Sequence, residues 1–149
     1  MKYAHNIEMR VFCKEDDNEE LIIEKIKNLF PFDFEKEKVE FKSKISYGFE
    51  DKKINILTVF VKKERHTTSV LKNLMKNLDQ EQKDLLLKQL DSRLDETLHF
   101  YFRLDKDKLL NDEYLITDSG NCFHFKISVA AYPHKRDVAE KIVREILNL

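Results

Sequence analysis

Two glycines and two prolines are all that interrupt the backbone freedom of this 149-residue chain. So few breakers argue against a loop-rich or disordered protein and for regular elements joined by short turns. The same scarcity excludes whole classes of chemistry. With Gly48 and Gly120 as the only glycines, neither a phosphate-cradling P-loop nor a dinucleotide fingerprint can be built. Hydrophobic residues make up 42% of the chain, enough to bury a substantial core, and the length suits one domain over residues 1–149.

The elements follow from periodicity. Ile7, Met9 and Val11 alternate with Glu8 and Arg10, the signature of a half-buried strand. Ile22, Ile23, Ile26, Leu29 and Phe30 have helical spacing, ended by Pro31. Val39, Phe41 and Ile45 are expected inside a second strand, with Lys38, Glu40, Lys42, Lys44 and Ser46 outside. A turn through Tyr47-Gly48-Phe49-Glu50-Asp51 leads to an apolar strand over 54–61, giving a hairpin. Thr67 or Thr68 is the expected cap of a helix through Val70, Leu71, Leu74, Met75 and Leu78. Asp79, with Gln82 three residues on, has the form of a capping box that restarts a helix through Leu86, Leu87, Leu90 and Leu94.

Leu98, Phe100 and Phe102 then point inward from a strand, and Asp105 is placed to cap one helical turn over 106–110. Phe123, Phe125, Ile127 and Val129 line a last strand. Pro133 is expected as the first residue of the C-terminal helix, ahead of Val138, Ala139, Ile142, Val143 and Ile146. The order β-α-β-β-α-α-β-(turn)-β-α predicts an α+β fold: an antiparallel or mixed sheet of about five strands with helices on one face.

Charge alone declares no partner, because 27 basic and 28 acidic residues nearly cancel. Placed on faces, the charges become informative. The uncovered side of the sheet collects Glu8, Arg10, Glu40, Lys42, Lys44, His99, Tyr101, Arg103, His124 and Lys126, a mixture of cations and rings suited to phosphates and unpaired bases. An ordinary solvated face, or a surface for homodimerisation, would use the same residues. A second basic group lies at element ends: Lys52, Lys53, Lys62, Lys63, Arg65, His66, Lys106, Lys108, His134, Lys135 and Arg136. Cations at 134–136 oppose the dipole of the helix they open, which marks either a functional site or a tolerant exposed turn.

No catalytic centre is legible. HExxH, GxSxG and paired-cysteine zinc spacings are absent, and no cofactor is implied. His99 and His124 could meet across strands as a metal pair, but lone strand histidines are commonly surface residues. Cys13 and Cys122 lack CxxC spacing and read as reduced thiols in a cytosol. No apolar run approaches the roughly 20 residues that span a membrane.

Four stretches carry a family resemblance. They are Ala4-His5-Asn6-Ile7-Glu8-Met9-Arg10-Val11-Phe12, the leucine-rich helices ending Leu94-Asp95-Glu96, Phe100-Tyr101-Phe102-Arg103-Leu104-Asp105-Lys106, and Ala131-Tyr132-Pro133-His134-Lys135-Arg136. Their order and spacing resemble the archaeal family of predicted RNA-binding proteins, also described as exosome subunits. The resemblance implies a fold similar to the ribosomal protein that binds 5S RNA, and a non-catalytic role on structured or ribosomal RNA. Relatives carry a Gly-His-x-Gly-Asn-Pro-type turn where this chain has Tyr47-Gly48-Phe49-Glu50-Asp51-Lys52-Lys53, so Lys52 and Lys53 are the expected substitutes there. The expected phosphate contacts are Lys42, Lys44, Lys52, Lys53, Arg103, Lys106, His134, Lys135 and Arg136, with Tyr47 and Tyr101 as stacking platforms. The alternative is a protein-interaction or scaffold subunit that dimerises through the open face without touching RNA.

Overall fold

A computed structural model describes residues 1–149. Five strands form one antiparallel sheet in the order β2-β3-β1-β5-β4, comprising β1 (Ala4–Lys14), β2 (Glu40–Tyr47), β3 (Lys53–Val61), β4 (His99–Asp105) and β5 (Cys122–Val129). Helix α1 (Glu19–Leu29) follows β1, α2 (Glu64–Asn77), α3 (Gln80–Lys88) and α4 (Leu90–Arg93) separate β3 from β4, the single turn α5 (Lys106–Leu110) follows β4, and α6 (Arg136–Leu147) closes the chain. Helices α2 and α6 pack on β1 and β5, so one sheet face is the floor of the core.

Strand alternation separates the two faces. Ile7, Met9 and Val11 of β1, Leu57 and Val59 of β3, Phe123, Phe125 and Ile127 of β5 and Phe100 and Phe102 of β4 are all buried on the helix side. Phe102 stacks on Phe125 with ring centroids 4.9 Å apart. Helix α1 is capped by Asn18, whose side chain accepts from the Leu21 N–H, and Asp105 caps α5 by accepting from Lys108 N–H.

Three expectations are corrected. Helix α2 begins at Glu64, earlier than a cap at Thr67 or Thr68 requires; Thr67 is buried inside the helix and its hydroxyl donates to the Glu64 carbonyl. The Asp79 half of the capping box forms, but Gln82 reaches elsewhere: its Oε1 accepts the buried Ile116 N–H at 2.8 Å. Pro133 lies before α6, in a cis peptide with Tyr132, and Arg136 is the first helical residue.

The outermost strand also departs from its alternation. Ile45 was expected inside but is 51% exposed, because β2 overhangs the helices that cover the rest of the sheet. Its hairpin partner β3 is joined through a tight turn at Phe49–Asp51, where Glu50 and Asp51 take φ of 58° and 56°. The left-handed positions of this turn thus fall on side chains that strain them, while Gly48 stays at negative φ.

Candidate nucleic-acid interface

The face turned away from the helices is built by strand register. Lys42 pairs with Thr58, Thr58 with Arg10, Arg10 with His124, and His124 with Arg103. These five residues form one row across all five strands, roughly 19 Å long at the usual inter-strand spacing of about 4.8 Å. Residues directly opposite on one face are nearest neighbours, so Lys42, Arg10 and Arg103 lie in one line on this face, with Thr58 and His124 between them. A neighbouring row runs Glu40, Phe60, Glu8, Lys126 and Tyr101; on the other side Lys44, Ile56 and Phe12 follow one another. Carboxylates therefore flank the row on one side, and apolar surface, including Phe12 at 39% exposure, on the other.

Tyr101 stands at the β4 end of this face. Its ring lies 6.3 Å from His99 and 5.8 Å from His124, with Lys126 Nζ 6.0 Å from the ring centroid. The tyrosine ring separates the two histidines, which are not paired in register, and no three His, Cys, Asp or Glu side chains gather as a ligand set. Tyr101 donates its hydroxyl to Asp95 Oδ2 at 3.0 Å. Burial pushes that phenol up, and the Asp95 carboxylate adds to it. Burial likewise lowers the His124 imidazole, with Arg10 and Arg103 beside it acting in the same sense. Both causes favour the neutral imidazole.

The nominated residues fall into three groups. Lys42, Lys44, Tyr101 and Arg103 share the open face. Tyr47 belongs to the opposite side of β2 by alternation; it is exposed there and pairs with Lys53 near the hairpin turn, so it does not join Tyr101. Lys52 and Lys53 are exposed at that turn, and His134 and Lys135 are exposed where the chain enters α6.

One nomination is corrected, and a second, Arg136, is exposed but engaged by the protein's own carbonyls. Lys106 is only 1% exposed: its Nζ donates to the Phe12 carbonyl at 2.5 Å and to Asp17 Oδ2 at 3.0 Å. It ties α5 to the end of β1 and has no face to offer a phosphate. Arg136 donates to the carbonyls of Leu94 and Asp91 at 3.0 and 2.9 Å, and to Glu140 at 3.2 Å. Its place at the start of α6 is explained by what it does for α4, whose last carbonyls it satisfies. A stripe joining Arg103, Lys106 and Arg136 consequently does not form.

Alternation places Arg10 on the open face without singling it out as a contact, and the central position of β1 puts it mid-row; Phe12 and Arg93 were not nominated. Nothing in the sequence marks Arg93. Its guanidinium is largely buried against the β4 edge, donating to Gln89 Oε1 and, at 3.4 Å, to the Tyr101 carbonyl.

The open antiparallel sheet face thus carries a row with three cations and has aromatic rings beside it. A family model described as RNA binding matches residues 6–129, and the chain belongs to that RNA-binding family. It is 31% identical, over 97% of its length and 94% of the relative's, to RNA-binding protein PAB1135 of Pyrococcus abyssi. Its fold is similar to that of the DUF54 protein Mth689 of Methanothermobacter thermautotrophicus, with TM-score 0.77 and 27% identity over 97% of this chain and 98% of that one. Protein AF2318 of Archaeoglobus fulgidus shares the fold with TM-score 0.82 at 24% identity, over 96% and 99% of the two chains.

Proposed function

We propose that the protein binds RNA across its open sheet face without catalysing a reaction on it. The observation that carries the reading is the register-built row Lys42–Thr58–Arg10–His124–Arg103. Three permanent cations at alternate positions of the row offer contacts to backbone phosphates, and Phe12 and Tyr101 on either side offer ring faces to unpaired bases. Family membership and the name of the Pyrococcus relative support the same ligand. His134 and Lys135 at one end of the sheet, and Lys52 and Lys53 at the hairpin turn, serve as outlying phosphate contacts for a structured or ribosomal RNA. A role beside RNA-processing machinery such as an exosome is consistent with a module that holds RNA and leaves its covalent chemistry to others.

Titration of a single-stranded oligoribonucleotide, followed by anisotropy at increasing salt, tests the reading. Binding at low salt that weakens steeply as salt rises, with the RNA recovered intact, is expected. Undetectable binding at low salt overturns it. A salt-tolerant self-association seen by light scattering, without RNA binding, would instead establish the scaffold alternative.

A further inference from the structure

The cationic row is open at one end and closed at the other. Beyond Lys42, the outer edge of β2 has no backbone partner. At the opposite end the chain itself covers the edge of β4. Leu94 bridges to Phe100, and Ile116 bridges to Leu104. The Thr117 N–H donates to the Arg103 carbonyl and the Asp105 N–H to that of Leu115. Where these two covering segments part, the row runs into a cavity of about 520 Å3. Gln89, Ser92 and Arg93 of the α4 segment wall it on one side and Asp118 on the other, while Tyr101, Arg103 and His124 line it from the sheet.

The chemistry of this cavity is unbalanced. Arg93 and Arg103 converge on one residue: Arg103 donates to the Asp118 carbonyl at 2.9 Å, and Arg93 Nη2 is 3.7 Å from the Asp118 carboxylate. That carboxylate is 94% exposed on its side-chain atoms, whereas the Arg93 side chain is 11% exposed. Two guanidiniums, one of them held in a fixed and largely buried orientation by Gln89, thus face a single loosely placed counter-charge. Such a fork matches the oxygens of a phosphate, which can take several charge-assisted hydrogen bonds at once.

We infer that this cavity receives the terminal phosphate monoester of an RNA strand lying on the row, so that the sheet holds an RNA end in a fixed polarity. The inference rests on the RNA reading above and adds to it the end of the strand. An internal phosphodiester would have to continue past the site between the α4 segment and Asp118, which wall the cavity on two sides. A terminal phosphate needs no exit and carries the extra negative charge that two arginines can share. Asp118 occupies the phosphate's place by charge and swings outward when it binds.

Calorimetric titration with one unlabelled oligoribonucleotide of about eight nucleotides, prepared in three forms, tests this. The forms carry hydroxyls at both ends, a phosphate at the 5′ end, or a phosphate at the 3′ end. One phosphorylated form is expected to bind at least about tenfold more tightly than the hydroxyl-ended form, and which one it is identifies the end recognised. Arg93→Lys keeps the charge but loses the fork, and Ser92→Glu puts a carboxylate at the exposed rim. Within each variant, the preferred form and the hydroxyl-ended form should bind with affinities within about twofold of one another, whatever the overall affinity. Asp118→Asn should raise affinity for the phosphorylated form. Equal binding of all three forms, or a preference that survives both Arg93→Lys and Ser92→Glu, overturns the inference and leaves the RNA reading intact. Failure of every form to bind overturns both.

Discussion

Single residues on this molecule divide into those that hold the fold and those that face outward, and burial distinguishes them where charge does not. Lys106 and Arg103 are three positions apart with the same sign, yet one is inside an ion pair and the other is on the open face. Replacing Lys106 with Met strands Asp17 and the Phe12 carbonyl, and should cost about 2–4 kcal/mol in denaturant unfolding while leaving RNA affinity unchanged. Asp17 gives the pH signature of the same contact. Burial alone would raise its carboxyl, but hydrogen bonds from the Lys14 N–H and Lys106 Nζ hold it below the usual value. A depressed folded value means that its stabilisation is complete above the unfolded value near 3.9 and is lost as pH falls through the folded one. The acid limb of the stability curve should therefore flatten in Lys106→Met.

His124 works in the opposite sense and on binding. Free, it is held below the ordinary histidine value by burial and by Arg10 and Arg103. A phosphate laid on the row favours its protonated form, so RNA binding takes up a proton. Affinity should rise as pH is lowered from 7 towards and below about 6.5, and His124→Gln should remove that part of the rise. A pH-independent affinity in the native protein would contradict a phosphate contact at this position.

Among the elements, the central strands are the ones whose sequence states their structure. Alternation in β1 and β5 reports burial faithfully because both strand neighbours and the helices above impose it, and in β4 because the chain around Leu94 and Ile116 covers its outer edge. Strand β2 has an open outer edge and overhangs the helices, so the inward parity of Ile45 carries no burial with it. Its lysines suit that edge, since Lys discourages pairing with another chain. The hairpin turn beyond it is strained where Glu50 and Asp51 occupy the left-handed region. Glu50→Gly relieves that strain at some cost in unfolded-chain entropy, and should change stability by less than about 1 kcal/mol, in the stabilising direction. A loss of more than that in thermal unfolding would mean that the Glu50 side chain does something the turn geometry does not reveal.

The candidate site was legible in pieces. Outward residues of each strand could be named from alternation, but the row needed the register, because residues 10, 42, 103 and 124 become neighbours only through pairing distant in sequence. Lys106 misled for the same reason: its partner Asp17 lies 89 residues away, and no local pattern distinguishes a lysine that will be buried. Arg93, inside a leucine-rich helical stretch, becomes informative only when that stretch is seen lying along the edge of β4.

For the molecule as a whole, near-neutrality counts charges and does not say where they lie. The net charge of −1 is compatible with RNA binding because Lys42, Arg10 and Arg103 are collected in one line while many carboxylates are spent elsewhere, as in the Asp17–Lys106 and Glu140–Arg136 pairs. The most direct test is the salt dependence of affinity for single-stranded RNA. The three cations of the row, releasing about 0.7 counterion each, contribute roughly −2 to the slope of log K against log salt, and the outlying contacts add to it. The double variant Lys42→Gln, Arg10→Gln should make the slope shallower by about 1.4 and weaken binding to all sequences alike. A slope unchanged in the double variant would mean that RNA, if bound, lies somewhere other than the open face.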